Sequence, residues 1–317
     1  MKNHSIGVLI PTMNRPQSLR RTLKSYFIGR RIPDEVIVVD QSQEEDDRRE
    51  IKEIVEEFAS LSKIVYYFQN IPSLTKARNK ALSLCQSEIL VFSDDDVDVG
   101  NDTLTNIEYI MQDSKISMIA GYDELSKVSD SKMGYFLGTK CYRKRHIGYV
   151  SDSMLGRFPD KLTEQVPTEW AMGFFFVVRK SFLNAWNIFW DEKLTGYAYA
   201  EDLDFSYTYY KHSVAEGLRC IMSNMVIVKH LASKEYRIPS RQSIFMYVIN
   251  RAYLLYKHEM GKRAEMIMYW CNFWMKVRSR IIGQNYKDYR DAEKKCKELK
   301  ARLKNGELDP SFYIYSE

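Results

Sequence analysis

Three consecutive carboxylates, Asp94, Asp95 and Asp96, directly follow a short apolar run at 89–92. A run of this length that is rich in β-branched and aromatic residues is typical of a buried strand. The carboxylates should lie at the end of that strand, because burying adjacent negative charges without partners is costly. A divalent cation is a suitable partner, since Mg²⁺ combines one or two carboxylates with substrate phosphates. The alternative that this motif leaves open is an acidic turn at the surface.

The elements that would position these carboxylates alternate between strand and helix. Apolar strand-like runs occur at 6–10, 35–39, 63–68 and 89–93, and the segments between them have helical spacing of apolar residues. This rhythm predicts an α/β fold with a parallel sheet. In such sheets ligands bind outside the carboxyl ends of the strands. We therefore expect one site where three polar loops follow strand ends, namely Pro11–Arg15, Asp40–Ser42 and Asp94–Asp96.

The second half of the chain is less regular but contains further strand and helix patterns. The segments 174–178 and 225–228 are typical of buried strands, and carboxylates at 201–204 lead into a predicted helix. Beyond Tyr236 the pattern is helical to about Lys304. We therefore expect an α/β unit followed by a helical extension.

The charge of the chain is unevenly distributed. The 317 residues carry a net charge of +5, and the hydrophobic content of 45% is ordinary for a globular protein. Residues 236–317 contain 17 Lys and Arg against 9 Asp and Glu, whereas residues 1–235 contain 30 against 33. The basic surplus of the C-terminal part hints at anionic lipid or another polyanion, and solvated basic helices are the alternative.

The cysteines and the apolar segments indicate a cellular location. The five cysteines are widely spaced without a CxxC pair, so we expect neither a zinc site nor disulfides, and a reducing cytosol fits. The N-terminus has no apolar signal segment. No window contains the ~20 apolar residues that a spanning helix needs. We expect a cytoplasmic protein, with the inner face of the cell membrane as its site of action if the basic helices bind lipid.

Six short motifs occur in an order that resembles a known enzyme family. They are Pro11-Thr12-x-Asn14-Arg15, Val38-Val39-Asp40, Ser73-x-x-Lys76-Ala77-Arg78-Asn79, Phe92-Ser93-Asp94-Asp95-Asp96, a glycine before an apolar strand (Gly173), and Glu201-Asp202. Together they resemble family 2 glycosyltransferases of the GT-A fold over about residues 5–231. The resemblance implies a nucleotide-diphospho-sugar transferase fold with a Rossmann-like mixed sheet at 1–235. The remaining residues, 236–317, would form a basic, aromatic-rich helical extension.

The resemblance implies a metal ion. Asp94-x-Asp96 looks like the DxD motif of the family, in which the last Asp binds the metal and the first contacts the ribose or the metal. His230 matches a histidine that binds metal or diphosphate in many GT-A enzymes, and a structural histidine is the alternative. The implied ligands of Mn²⁺ or Mg²⁺ are thus Asp94, Asp96 and His230, with Asp95 as a helper. Such an ion would neutralise the diphosphate leaving group.

The resemblance also implies a set of residues that bind the nucleotide-sugar donor. Asp40 matches an Asp that accepts a hydrogen bond from uracil N3–H, and a strand-end Asp that caps the following turn is the alternative. Two helical residues that are two apart do not share a face, so at most one of Lys76 and Arg78 should point into the site. The implied donor-binding residues are Pro11, Thr12, Asn14, Arg15, Asp40, Ser42, Lys76, Arg78, Asp94, Asp95 and Gly173.

Catalysis is implied for the carboxylates that begin the later helix. Glu201-Asp202 matches the xED motif, from which inverting enzymes take the base that deprotonates the acceptor hydroxyl. We expect Asp202 to be this base and Glu201 to orient the acceptor, with Asp204 as a competitor. Clustered carboxylates raise one pKa by repulsion, which suits a base, and an acidic first turn that complements the helix dipole is compatible with this role. Trp170 either stacks on the acceptor sugar or belongs to the core.

Two further expectations concern the backbone beside the site and the helical extension. Gly173 would let the backbone approach a ligand closely, because it has no Cβ. Apolar and aromatic residues follow helical spacing within 244–282, and basic residues follow them. Aromatic and basic residues on one helix suit peripheral contact with a membrane. Packing on the catalytic domain or on a partner in a homodimer is the alternative.

The sequence therefore predicts a metal-dependent, inverting glycosyltransferase. It would move a hexosyl or related sugar from a nucleotide-sugar donor, UDP-linked if Asp40 reads uracil, to a hydroxyl of a glycan or lipid-linked acceptor in surface polysaccharide synthesis. Nucleic acid is not an expected partner. A sugar nucleotidyltransferase is one alternative, disfavoured because the loop at 11–16 contains no glycine. A non-catalytic glycan- or lipid-binding module is the other.

Overall fold

A computed structural model describes residues 4–125, 132–137, 147–159, 162–196, 198–231 and 240–314. Strand and helix alternate through the first third of the chain, so the predicted rhythm is confirmed. The elements are β1 (Ile6–Thr12), α1 (Pro16–Phe27), β2 (Glu35–Asp40), α2 (Glu45–Phe58), β3 (Lys63–Phe68), α3 (Leu74–Leu84) and β4 (Ile89–Ser93).

The middle of the chain adds strands on the far side of β4. The elements are β5 (Val97–Val99), α4 (Thr103–Ile110), β6 (Ile116–Asp123), α5 (Lys132–Phe136), β7 (Tyr149–Val150), β8 (Gly156–Arg157), β9 (Val166–Pro167), β10 (Phe175–Arg179), α6 (Lys180–Trp186), α7 (Glu201–Ala215) and β11 (Arg219–His230). The strand predicted at 225–228 is therefore longer than expected, because the first part of β11 pairs with β6 and β9.

The C-terminal part is helical, as the sequence predicts. It consists of α8 (Ser240–Lys257), α9 (Gly261–Ile282), α10 (Tyr286–Glu298), α11 (Lys300–Lys304) and a short 3₁₀ helix at Pro310–Tyr313. Within the described residues, no helix combines the length and the apolar character that crossing a membrane requires.

One mixed sheet organises the described strands in the order β3-β2-β1-β4-β10-β6-β11-β5, with β9 paired to β11. The first four strands of this order are parallel, and β10 is antiparallel to both β4 and β6. The α/β fold with a mixed sheet, predicted from the resemblance, is therefore confirmed.

The strand register brings distant polar loops to one edge of the sheet. Thr12 on β1 pairs with Asp40 on β2, and Leu9 pairs with Phe92 on β4. The chain thus leaves β1, β2 and β4 at the same edge. The last residue of β11, His230, pairs with Val97 on β5, directly after the aspartate trio. A residue more than 130 positions away in the sequence is thereby placed beside Asp96.

Apolar side chains fill both faces of the sheet. Alternate residues of the parallel strands pack against α1, α2 and α4 on one face, and against α3 and α7 on the other. Phe205 of α7 packs edge-on against Phe92 of β4, with 5.5 Å between ring centroids. Because α7 begins at Glu201, this contact fixes the predicted catalytic carboxylates relative to the strand that leads into the trio.

A third apolar core joins the C-terminal helices to the rest of the chain. Buried residues of α8 and α10 pack with Met154, Trp170, Ala198 and Leu203. Of the alternatives for the extension, packing on the preceding part of the chain is what the structure shows for α8.

Candidate active site

The loops after β1 and β2 hold each other in place. Asn14 adopts a left-handed backbone conformation (φ 54°), which asparagine tolerates better than most residues. Its backbone N–H donates to Ser42 Oγ at 2.8 Å, and its side-chain oxygen accepts from the backbone N–H of Gln43 at 3.0 Å. Asn14 and Ser42 therefore join the two loops, whereas Pro11 lies buried within β1.

Asp40 lies at the end of β2 with both carboxylate oxygens engaged. Oδ1 accepts from the backbone N–H of Ser42 at 2.8 Å, and Oδ2 accepts from the Tyr66 hydroxyl at 2.8 Å. The residue is fully buried. This is the turn-capping arrangement that the sequence leaves as the alternative. Each oxygen keeps a further lone pair, so these contacts do not test the base-reading role, which stays a prediction.

Asp95, the middle residue of the trio, is buried and braced. Its Oδ2 accepts from Thr12 Oγ1 at 2.6 Å, and its Oδ1 lies 3.1 Å from Arg15 Nη2. Burial raises the pKa of the Asp95 carboxyl to about 7, although Arg15 and Thr12 act in the opposite direction. Thr12 and Arg15 thus stabilise the turn that carries the other two aspartates.

Asp94, Asp96 and His230 form a cluster that could hold a metal ion. One ligand atom from each lies within 4.8 Å of the other two. The His230 ring stacks on Phe174 with 4.9 Å between centroids, and its Nε2 lies 3.3 Å from Asp96 Oδ1. Burial acts to lower the His230 pKa, but the hydrogen bond with Asp96 and the charges of both aspartates raise it overall. Two carboxylates and one imidazole are ligand types that suit a divalent ion such as Mn²⁺.

Arg78 connects this cluster to the carboxylates of α7. It is buried, and its Nη2 lies 3.0 Å from both Asp94 Oδ1 and the Gly173 carbonyl oxygen. Its Nη1 lies 2.8 Å from Glu201 Oε1. A planar guanidinium can make these contacts at once because its donors diverge in a fixed geometry. Lys76, two residues earlier, is exposed, and its donor-binding role stays a prediction.

Gly173 is the point where Arg78 and Asp202 approach the backbone. A Cβ atom at this position would lie 3.0 Å from Arg78 Nη2 and 3.0 Å from Asp202 Cβ. The Gly173 N–H donates to Asp202 Oδ2 at 2.8 Å. The glycine is therefore needed for contacts between protein side chains and backbone, and its predicted role in the approach of a ligand stays a prediction.

The first two residues of α7 are carboxylates whose protonation is shifted. Burial, and then the charge of Asp202, raise the pKa of Glu201 to about 8, although Arg78 acts in the opposite direction. Burial also raises the pKa of Asp202, against the effect of the Gly173 N–H. Both carboxylates are poorly solvated, which is an arrangement that favours proton transfer near neutral pH.

Asp204 does not compete with Asp202, contrary to expectation. Its carboxylate lies 2.6 Å from Lys257 Nζ and 2.9 Å from His258 Nε2, at the end of α8. Lys257 also lies 2.7 Å from Asp191. Asp204 therefore links α7 to the end of α8 through ion pairs.

One cavity of about 330 Å³ is lined by residues of the metal cluster and by the two carboxylates of α7. Among its walls are Asp94 and His230 from the metal cluster, Arg78 and Gly173, and the carboxylates Glu201 and Asp202. The remaining wall is largely apolar and aromatic, with Met154, Leu155, Gly156, Trp170 and Tyr199. Trp170 is only 7% exposed and donates from Nε1 to the Arg157 carbonyl at 2.7 Å. It is thus a core residue that also borders the cavity.

Two neighbouring residues of α8, which no sequence motif indicated, bind the backbone of the segments that form the apolar and aromatic wall of the cavity. Asn250 Nδ2 donates to the Tyr199 carbonyl at 2.9 Å. Arg251, which is fully buried, donates from Nε to the Ser153 carbonyl at 2.8 Å and from Nη1 to Asn272 at 3.0 Å. The segments around Ser153 and Tyr199, which these hydrogen bonds hold, contain non-glycine residues with positive φ at Met154, Ala198 and Ala200. Strained backbone of this kind persists only where its surroundings fix it.

Comparison with known proteins gives independent evidence. Residues 7–184, more than half of the chain, match the family model described as glycosyl transferase family 2. The chain belongs to glycosyltransferase family 2. The matched part of this family 2 chain includes the aspartate trio, Arg78 and Gly173 and ends before Glu201. A search of curated protein sequences found no match.

Solved structures with the same fold include glycosyltransferases in complex with a nucleotide or a nucleotide sugar. The mannosyltransferase PcManGT from Pyrobaculum calidifontis, in complex with GDP-Man and Mn²⁺, is 15% identical with a TM-score of 0.55 over 97% of this chain and 77% of that chain. S. aureus TarS 1-349 in complex with UDP-GlcNAc is 16% identical with a TM-score of 0.52 over 83% and 70%. GalNAc-T7 with UDP, GalNAc and Mn²⁺ is 15% identical with a TM-score of 0.57 over 84% and 54%.

These similarities establish the GT-A fold for this family 2 member. At such identities they establish the fold alone. The family membership, together with the cavity that carries a metal-binding cluster and buried carboxylates, indicates glycosyltransferase activity.

Proposed function

We propose that the protein transfers a sugar, with inversion, from a nucleotide-diphosphate donor to a hydroxyl group of a glycan or lipid-linked acceptor. The observation that carries this proposal is the common cavity. Asp94 and His230 of the metal cluster line this cavity together with Glu201 and Asp202. Arg78 bridges the two groups directly.

We place the donor diphosphate at the metal cluster. Asp94, Asp96 and His230 would hold a divalent ion, and when bound it supplies positive charge that stabilises the departing diphosphate. Arg15 and Arg78 add fixed positive charge beside the aspartates. The neighbouring structures are complexes with GDP-Man, with UDP-GlcNAc, or with UDP and GalNAc, and two of them include Mn²⁺. This supports a nucleotide-linked donor, and Asp40 would favour UDP if its carboxylate accepts from uracil N3–H.

Asp202 is the residue to which we assign the proton transfer. Its two oxygens accept from the backbone N–H groups of Gly173 and Leu203, at 2.8 Å each, so the carboxylate has a fixed orientation at the cavity. Glu201, in contrast, is committed to Arg78. In a single displacement the acceptor oxygen bonds to the anomeric carbon as the bond from that carbon to the diphosphate breaks. The hydroxyl proton moves to Asp202, and the configuration at the carbon inverts.

The aromatic wall is where we place the acceptor. Met154, Gly156, Trp170 and Tyr199 line the cavity on the side of α7. Flat, largely apolar surfaces of this kind suit the faces of sugar rings. Holding both substrates in one small cavity contributes to rate by orienting the reacting atoms.

A thermal-shift panel tests the proposal directly. Nucleoside diphosphates and nucleotide sugars of each base are added with Mn²⁺, with Mg²⁺ or with a chelator. Because a ligand that binds the native state raises the melting temperature, we expect a metal-dependent rise for one nucleotide class. No shift with any nucleotide sugar, combined with pyrophosphate release from a nucleoside triphosphate and a sugar phosphate, would favour a sugar nucleotidyltransferase instead.

A further inference from the structure

A stripe of exposed apolar side chains runs along one side of α9. Met266, Trp270, Phe273 and Ile281 are 65, 42, 44 and 81% exposed. Their spacing of four, three and eight residues places them on one side of the helix. Phe136 of α5 is 69% exposed and packs edge-on against Trp270, with 6.1 Å between ring centroids. Isolated exposed apolar residues are ordinary, but a contiguous aromatic surface marks a site of interaction.

The opposite side of α9 is already used by the fold. Ala264, Met268 and Cys271 are buried, and the first two belong to the C-terminal core. Asn272 accepts the hydrogen bond from Arg251. The large aromatic side chains Trp270 and Phe273 therefore lie on the outward side of α9, whereas the residues buried on its inward side are small or aliphatic.

Cations flank the stripe. Lys262, Arg263, Arg278 and Arg280 are exposed on α9. Glu265 is the one acidic residue in the sequence of α9, and its carboxylate is paired with Lys300 and accepts from the Tyr256 hydroxyl at 2.9 Å. An aromatic stripe with basic flanks is complementary to the headgroup region of an anionic bilayer, where rings enter the interface and cations meet lipid phosphate.

We propose that the α9 face, formed by Phe136, Met266, Trp270, Phe273 and Ile281 with the flanking cations, binds the surface of an anionic bilayer. The helix would lie in the plane of the membrane, since it is not long and apolar enough to cross one. A second copy of the chain suits this surface less well, because a two-fold contact would bring the same cations together. The proposal does not depend on the assigned reaction.

Vesicle co-sedimentation of the full chain tests the α9 face. We use phosphatidylcholine vesicles in which a quarter of the lipid is phosphatidylglycerol, and vesicles of phosphatidylcholine alone. Binding should be strong to the anionic vesicles, much weaker to the neutral ones, and reduced by salt. Absence of binding to the anionic vesicles, or equal binding to both kinds, would overturn the proposal.

Paired variants separate the aromatic and ionic contributions. Trp270→Ser with Phe273→Ser should weaken binding at least about tenfold, because two large apolar side chains no longer enter the interface. Arg263→Gln with Arg278→Gln should weaken it about fivefold for each cation removed. Ile28→Ser and Arg49→Gln remove a 62% exposed apolar residue and an exposed cation elsewhere, and they should leave binding unchanged.

Two measurements keep the outcome clear. Melting temperatures close to that of the wild type verify that these surface variants fold. Sedimentation velocity without lipid detects self-association, and a dimer that Trp270→Ser with Phe273→Ser abolishes would assign the α9 face to a second copy and refute lipid binding. Equal vesicle binding by the aromatic variant and the wild type would also refute the proposal.

Discussion

The two regions of the candidate site are built by different means. The strand-end region, which comprises the loops after β1, β2 and β4 with His230, is assembled by strand register, and its residues lie next to strand ends. The helix-framed region comprises the start of α7 and the segments 151–156 and 198–200. It is fixed by α8, through Asn250 and Arg251, which lie 51 and 98 positions away from the carbonyls they bind.

The difference shows which parts of the site can vary independently. Register is a property of the whole sheet, so the metal cluster cannot shift without disturbing the core. The helix-framed region depends on a few side-chain hydrogen bonds to backbone carbonyls. Arg78 connects the two regions, since it binds Asp94 on one side and Glu201 on the other. Gly173 lies at the same junction, where its carbonyl accepts from Arg78 and its N–H donates to Asp202.

The largest effect is expected from Asp202→Asn, which removes the base and keeps the shape of the side chain. Transfer should fall about a thousandfold, within the range of general base contributions. Nucleotide-sugar binding with Mn²⁺, measured by titration calorimetry, should remain close to that of the wild type because the strand-end region is intact. Asp46→Asn on the exposed start of α2 is the control. Transfer at the wild-type rate would remove the base assignment.

Asp96→Ala changes the strand-end region, and we expect it to weaken donor binding, which Asp202→Asn leaves intact. Loss of a direct ligand should weaken metal-dependent donor binding at least about a hundredfold, since even indirect partners of metal ligands account for 10- to 100-fold. The calorimetric titration is repeated with and without Mn²⁺, and the residual binding should no longer respond to the metal. Asp98→Ala, two residues further along β5, should bind as the wild type does. Metal-dependent binding that survives in Asp96→Ala would contradict the cluster.

A smaller effect is expected from Gly173→Ala, at the junction of the two regions. The added methyl group would lie 3.0 Å from both Arg78 and Asp202, so one of them must move by several tenths of an ångström. Displacement of catalytic groups on this scale should lower transfer about tenfold. Gly100→Ala is the matched control, because its nearest contact is a side-chain oxygen at 3.4 Å. Equal turnover by the two variants would show that the junction tolerates movement.

The positions of Asp94 and Asp96 were predictable because the sequence pattern that places them is local. A strand pattern followed by polar residues placed Asp94 and Asp96 at the edge of the sheet, and the structure brings His230 to the same point. Helical spacing restricted Lys76 and Arg78 to one inward residue, and the structure has Arg78 inside. The assigned roles of these residues remain predictions, but their gathering at one edge follows from the order of strands.

The helix-framed region was not predictable from motifs because its partners are remote. Nothing near Asp204 indicates that Lys257, 53 positions later, will take its carboxylate. In the same way, Asn250 and Arg251 lie within an apolar helical pattern. Their hydrogen bonds to backbone carbonyl oxygens do not produce any residue pattern in the sequence that would predict them. Side-chain bonds to backbone depend on tertiary packing, and packing is what a single sequence does not display.

Arg251→Lys should therefore disturb the helix-framed region and leave the strand-end region unchanged. Lysine keeps the charge but cannot reproduce donation from Nε and Nη2 to Ser153 together with donation from Nη1 to Asn272. A cost of about 2 kcal/mol in the free energy of unfolding is expected for the unsatisfied buried groups. Denaturant unfolding measures it, with the exposed Arg302→Lys as control. Donor binding with Mn²⁺ should persist while transfer falls, and parallel loss of both would show that α8 also supports the strand-end region.

The smallest effect concerns the pH dependence of stability. The folded-state pKa of Glu201 is raised to about 8, so the native chain keeps a proton that the unfolded chain releases above the ordinary pKa of Glu. The free energy of unfolding should therefore fall as the pH rises through this window, because the unfolded state binds fewer protons. Glu201→Gln, melted without added metal, should show a flatter pH profile than the wild type, and Glu53→Gln on the exposed side of α2 should not. Identical slopes would mean that Arg78 keeps Glu201 ionised, and the link between the two regions would then be a full ion pair.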